Sequence, residues 1–454
     1  MPKFATFLIT GDRLVSEQRC VVRAVSWRDL LPWLLIIRTF RMSIGISVLF
    51  LATVGAVLTP VGWRISEFFF VATSEDAASV TPDRTTPEFR EAVAVNRMWA
   101  SDFARSTTLL PRDRFLPEIT RRESYALVYP QFTAPFVALF DHQLTLAQLA
   151  YFLFGGLWTL LVWAFLGAAI TRTAAVQLGR EERLSLIDAL KHAFSKYGSY
   201  VAAPLYPLLA TAAILSPAAL LGFFFLGDGT TAVAGVLWVL VLCLAFLAVI
   251  FLVGLMFGWP LMWGAIASES SDAFDALSRS YAYTFQRPLH YLFYLVVALL
   301  LGLAGWAVIG AMAELVIYLG YWGASWGANS GLLWGGDADR LEKVLSASNP
   351  TGGLRFGLES LAFWENVVWT VAAGFRYAFF WCAITAIYLL LRRDVDQTEF
   401  DEIYVDDQDG QTGLPPHTND SAGVAGAPQD FEEPHGTIAA STEPVVEREH
   451  PDGE

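Results

Sequence analysis

The residues with most chemistry to offer are charges standing inside apolar runs. Arg376 sits between Phe375 and Tyr377, within a run from 366 to 391. An arginine well inside a bilayer costs at least about 2.5–3.5 kcal/mol on insertion scales. Its guanidinium stays charged, so it must find acceptors rather than neutralise. Glu314, near the end of the preceding run, is the candidate partner. The two would form an intramembrane charge site; the simpler alternative is that Arg376 snorkels to outer headgroups. Elsewhere the chemistry is thin. Glu181-Glu182 has the look of a paired carboxylate, but Arg180 and Arg183 flank it, which reads as a solvated salt-bridge cluster. His142, His192, His290, His417, His435 and His450 show no metal-ligand spacing. No HExxH, GxSxG or phosphate-cradling glycine loop occurs. The expectation is a chain with no catalytic residues, no metal and no cofactor.

The elements that carry these residues are apolar. Hydrophobic residues make up 55% of the 454 and charged residues 16%, against about 25% charged in a soluble domain. Six runs are long enough to cross a bilayer, at 42–62, 147–170, 199–226, 232–263, 291–319 and 366–391. Trp238 and Trp259 stand 21 residues apart in the fourth, about 31 Å of helix, which suits the two interfacial belts. Bases crowd the short connectors: Arg172, Arg180, Arg183, Lys191 and Lys196 after the second run, Arg279 and Arg287 after the fourth, Arg392 and Arg393 after the sixth. The turn at 227–231 has none. The positive-inside rule then puts both termini in the cytoplasm of an inner-membrane protein.

The connecting segments follow from that topology. Residues 1–41 form a cytoplasmic segment with an interfacial helix over 27–41. Residues 63–146 form an outer region. A helix starts there at Thr86-Pro87-Glu88 and runs to about Phe103, and an irregular remainder lies on the membrane through Tyr125, Tyr129, Phe132 and Phe136. Residues 320–365 form a Gly/Trp-rich outer loop with a short amphipathic helix at 338–345. The tail, 392–454, is disordered by composition. From Asp394 onward it holds 17 acids against one base, Arg448, so the net charge of −14 belongs to the tail. The membrane body carries no basic field for nucleic acid.

Two stretches 87 residues apart repeat. Ser185-Leu-Ile-Asp188-Ala-Leu190 aligns with Asp272-Ala-Phe-Asp275-Ala-Leu277. Ser185 and Asp272 stand where helix caps would, with Asp188 and Asp275 three residues on, the capping-box spacing. Ile187, Leu190, Phe194 and Tyr197 in one copy, and Phe274, Leu277 and Tyr281 in the other, recur at helical spacing. Each helix should lie in the cytoplasmic interface as an elbow between two spans. Asp29-Leu-Leu31 offers a third, shorter match. The fold expected is an all-α integral membrane protein with about six transmembrane helices, a parallel duplicated helix–elbow–helix unit over 147–319, and cytoplasmic interfacial helices. Pro204, Pro207 and Pro217 in the third run and Pro260 in the fourth remove amide donors and bend their helices. The freed carbonyls either face a substrate or shape packing.

Asp275-Ala276-Leu277-Ser278-Arg279, followed by Arg287-Pro288-Leu289-His290-Tyr291, resembles the span–elbow–span pattern of a broad group of bacterial membrane proteins. The group includes the membrane domain attached to some glycerophosphodiester phosphodiesterases. The likeness covers about residues 147–320 and implies an elbow-linked helical membrane domain. This chain carries no phosphodiesterase domain, so the likeness brings no activity with it. The function expected is a non-catalytic integral membrane protein, a scaffold or accessory subunit of a membrane complex. Its partners would be the lipid bilayer and a cytoplasmic or membrane protein, with the elbows as docking elements, and not nucleic acid. The alternative is a permease for a lipid or small amphipathic solute, which needs several polar groups facing one cavity.

Overall fold

Residues 31–70, 128–140, 144–326 and 352–404 are described by a computed structural model. Among them every regular element is helical. Ten α-helices follow in order: α1 (Leu35–Ser43), α2 (Ile46–Phe70), α3 (Val128–Ala138), α4 (Leu146–Gly179), α5 (Leu186–Ser195), α6 (Tyr197–Gly222), α7 (Asp228–Glu269), α8 (Ala273–Gln286), α9 (Pro288–Ser325) and α10 (Gly353–Asp396). Stretches of α2, α4, α6, α7, α9 and α10 are long and apolar enough to cross a membrane. They are the six runs read from the sequence, and the chain is a multi-pass helical membrane protein on that basis. The helices expected at 86–103 and 338–345, Asp29 of the third match and the acidic tail beyond Tyr404 lie outside the described residues.

α10 is the axis of the bundle. It packs against α1, α2, α4, α7 and α9. Of its most apolar stretch 89% is buried, against 6% for the stretches within α6 and α7. One face of α10 is made small by Gly374, Ala378, Cys382 and Ala386, all buried at intervals of four. Small residues let helix backbones approach closely in lipid, where no hydrophobic force draws them together. At Gly374 the approach to Thr53 of α2 leaves no room for a Cβ. The large side chains of α10 fill the spaces on either side. Trp381 stacks on Trp263 of α7 with ring centroids 4.4 Å apart, and Tyr377 stacks on Trp163 of α4 at 4.7 Å. Phe132 of α3 drops into the same cluster, 5.3 Å from Trp259 and 5.6 Å from Trp381.

This cluster corrects two expectations. Trp259 does not sit in an interfacial belt; it is 5% exposed, ringed by Tyr129, Phe132, Trp263, Phe380 and Trp381. Residues 128–138 are not irregular but form α3, because Pro130 falls in the first turn, where no amide donor is needed. Phe132 is buried rather than laid on the membrane. α2 also runs beyond the expected end at 62. Trp63 is buried and its indole donates to Thr159 of α4 at 3.1 Å, while Trp163 of α4 donates back to Thr59 of α2 at 2.9 Å. Gly155 of α4 is the seat of the Trp63 ring, with no space for a side chain.

Three of the interior prolines, Pro204, Pro217 and Pro260, free carbonyls that side-chain donors answer. A proline at i leaves the carbonyl at i−4 without its helical amide. Pro204 frees the carbonyl of Tyr200, and the Trp263 indole donates to it at 3.0 Å. Pro260 frees that of Met256, and the Tyr129 hydroxyl donates to it. Pro217 frees that of Ala213, and Ser216 donates to it at 2.8 Å. These carbonyls shape packing and do not face a substrate. Trp381→Ala should open a cavity at the meeting point of α4, α7 and α10 and cost about 3–5 kcal/mol. Thermal unfolding of the purified chain in detergent reads this. A midpoint as high as wild type would show that the ring cluster does not hold the bundle together.

Candidate functional site

The two elbows are α5 and α8, and both start where the sequence placed them. Ser185 caps α5, its Oγ accepting from the Asp188 amide at 3.2 Å; Asp272 caps α8, its Oδ1 accepting from the Asp275 amide at 2.9 Å. The reciprocal half of the capping box is not formed at either. Asp188 instead accepts from the Ser185 hydroxyl at 2.6 Å and pairs with Lys191 at 3.5 Å. The hydroxyl bond is the main reason its carboxyl is held below the usual range. Asp275 turns to Arg279 at 3.1 Å. Aspartate is one methylene short of the Glu or Gln that a box requires. The complete box forms at Thr145 and Gln148, at the start of α4.

The densest polar arrangement lies where α7 ends, on a residue the sequence reading passed over. Glu269 closes the longest apolar run, and its carboxylate takes Arg279 of α8 at 2.6 Å, Arg392 of α10 at 3.0 Å and the Tyr388 hydroxyl at 2.8 Å. The chain then turns through Ser270, at a left-handed φ of 54°. Beyond α10, residues 397–404 come back across this end, held by arginines through their carbonyls. Arg392 donates to Glu402 at 2.8 Å, Arg180 to Ile403 at 3.0 Å and Arg172 to Tyr404 at 2.7 Å. Arg172 also reaches the Ala267 carbonyl at 2.7 Å, and the Tyr404 amide donates to Ser268 at 3.0 Å. Arg172 and Arg392 are buried. Two of the arginines counted toward orientation therefore serve as internal braces. A carboxylate so fully taken is a structural clamp; its oxygens are committed to binding helix ends.

His192 of α5 is buried, with Nε2 3.4 Å from the Tyr200 hydroxyl. Burial, then the positive charges of Arg172 and Lys196, lower its pKa to about 3. The folded chain therefore keeps this ring neutral while the unfolded chain protonates near 6.5. Stability should hold above about pH 6.5 and decline as pH falls toward 3. His192→Gln should flatten that part of the profile. Unfolding midpoints of both proteins from pH 7.5 to 4 measure the difference; identical slopes would assign the acid sensitivity to other groups.

The structure does not bring Arg376 and Glu314 together. The Arg376 guanidinium lies over the Trp306 ring of α9, 4.7 Å from its centroid. Glu314 is exposed and eight residues further along α9, about 12 Å of helix. The expected charge pair gives way to a cation on a π face, an attraction that strengthens when desolvated. In a double-mutant cycle, Arg376→Leu and Trp306→Leu should couple by about 0.5–2 kcal/mol. Arg376→Leu and Glu314→Gln should simply add. Thermal unfolding of the singles and doubles decides, and coupling to Glu314 instead would reinstate the ion pair.

Among the described residues no three His, Cys, Asp or Glu side chains gather as a metal site. No protein-family model, curated protein or solved structure matches this chain.

Proposed function

We propose that this chain is a non-catalytic scaffold or accessory subunit of an inner-membrane complex. The observation that supports it most is a contrast within one molecule. Between α4, α7 and α10 the interior is filled by Trp163, Trp263, Tyr377 and Trp381, all fully buried. A permease needs polar groups along one path, and this ring stack stands where such a path would run. The α6–α7 pair, by contrast, leaves Leu209, Leu220, Val236, Val239 and Phe246 more than half exposed. A rigid bundle with one bare apolar hairpin suits a protein that positions other membrane helices.

The duplication and the topology belong to the same reading. Two aligned pairs behave alike: Ala189 and Ala276 are buried, and Ile187 and Phe274 point outward at 66% and 70% exposure. Outward apolar residues beside buried alanines suit a helix lying in the membrane interface. Arg172 of α4 reaches Ala267 of α7, so the spans that precede the two elbows end side by side. Arg180, Arg183, Lys191 and Arg287 stand exposed at the elbow end. That charge supports a cytoplasmic elbow end and cytoplasmic termini.

A photo-crosslinker at Val239 or Phe246 should give one discrete higher-mass protein adduct in native membranes. The same probe at Ile187, on an elbow, should not give that adduct. Adducts to lipid alone, together with solute flux into sealed vesicles that depends on this chain, would favour the permease and sink the scaffold.

A further inference from the structure

A cleft of about 190 Å³ opens at the elbow end, lined by Arg287, His290, Arg393, Asp394 and Gln397. It lies where α8 passes into α9 and α10 comes to its end, so two separate parts of the chain build it. Its basic side is formed by Arg287, His290 and Arg393. Arg287 and His290 are exposed, and their side chains make no hydrogen bond or ion pair among the described residues. Its one carboxylate is engaged: Asp394 accepts from the Tyr294 hydroxyl at 2.8 Å. Arg393 rests on the Phe400 ring at 4.9 Å. α9 starts here with Pro288 in its first turn and no side chain capping it, so first-turn amides add to the positive field.

The border of the cleft narrows the ligand. Directly along α9, Leu289, Leu292 and Phe293 are exposed apolar side chains at the start of a membrane-spanning stretch. A cationic hollow edged by surface that hydrocarbon must cover suits an amphiphile with an anionic phosphate and acyl chains. Basic pockets between transmembrane helices are known to hold such headgroups. We propose that this cleft binds the phosphate of an anionic glycerophospholipid, its acyl chains lying along Leu289, Leu292 and Phe293. The proposal rests on the membrane-spanning reading of the helices and not on the scaffold role, since it requires no protein partner.

The test uses the full chain purified in neutral detergent, with lipid retention read by native mass spectrometry. Phosphatidylglycerol should bind, and phosphatidylcholine should bind more weakly. Arg287→Gln and Arg393→Gln should each weaken phosphatidylglycerol about fivefold. Asp394→Asn keeps an acceptor for Tyr294 while removing the negative charge, and should tighten binding. Arg183→Gln makes the same charge change at the elbow end outside the cleft, and should leave binding unchanged. Equal weakening by Arg183→Gln would mean diffuse surface charge and overturn the site. Inorganic phosphate binding as tightly as the lipid would make the source a soluble anion and overturn the lipid assignment. Since Arg287 is exposed, its variant folds without relying on the cleft, and retention unchanged in both Arg287→Gln and Asp394→Asn would also end the proposal.

Discussion

In hydrocarbon a backbone carbonyl cannot be left open, and that constraint organises this protein. An unsatisfied group costs several kcal/mol where no water can reach it. The chain puts prolines inside three of its spanning helices, α2, α6 and α7, and so creates such groups. Each answered carbonyl then ties its helix to whatever supplies the donor. Through Trp263 and the Tyr200 carbonyl, α7 is fixed to α6. Through Tyr129 and the Met256 carbonyl, α3 is fixed to α7. Neighbouring carbonyls on α7 take further donors: Phe257 accepts from Tyr291 of α9 at 2.6 Å, and Gly258 from Ser280 of α8 at 2.5 Å. One bent stretch of α7 thereby receives three other helices.

The donors are also the packing material. Tryptophan and tyrosine bring a polar tip and a large ring together, so the side chain that answers a carbonyl also fills the space around it. That pairing of roles accounts for Trp263, which answers the Tyr200 carbonyl and stacks on Trp381. It also accounts for α10 as the axis. Helices do not associate in lipid for hydrophobic reasons, so contact has to come from close packing and polar bonds. α10 offers both, with Gly374, Ala378 and Cys382 on one side, and Tyr377 and Tyr388 donating to Gln131 and Glu269 elsewhere. Much of α7 toward the hairpin turn offers neither, and it stays bare.

What the sequence disclosed follows from the same physics. Length and apolarity show that a helix spans, so all six spans could be read. Caps are local, so Ser185 and Asp272 could be placed to the residue. Neighbours could not be read, because apolar residues surround a spanning helix on every face and periodicity has nothing to distinguish. The least apolar of the six spanning stretches, in α10, is the most buried, and the most apolar, in α7, is among the barest. A lipid-facing helix must be apolar all round, whereas an enclosed one can hold polar groups. Ranking spans by apolarity therefore inverts the soluble-protein rule, and that ranking was available. So were the small residues at every fourth position from Gly374 to Ala386. The partners of Glu269 and Arg376 were not, since they lie on other helices.

The charges divide along the same line as the surfaces. Arg172 and Arg392 are spent on carbonyls and on Glu269, and they fix the return of residues 397–404 across the helix ends. Outside those two, Arg180, Arg183, Lys191 and Arg287 stand exposed at that end, in the connectors and elbows. Arg172 and Arg392, both buried, thus meet carbonyl or carboxylate oxygens of the chain itself. The open groups are of two kinds, exposed bases at the elbow end and apolar side chains on the α6–α7 hairpin. Headgroups can meet the first, and acyl chains or other helices the second. A molecule so arranged holds its own shape with one set of residues and leaves a separate set for its surroundings.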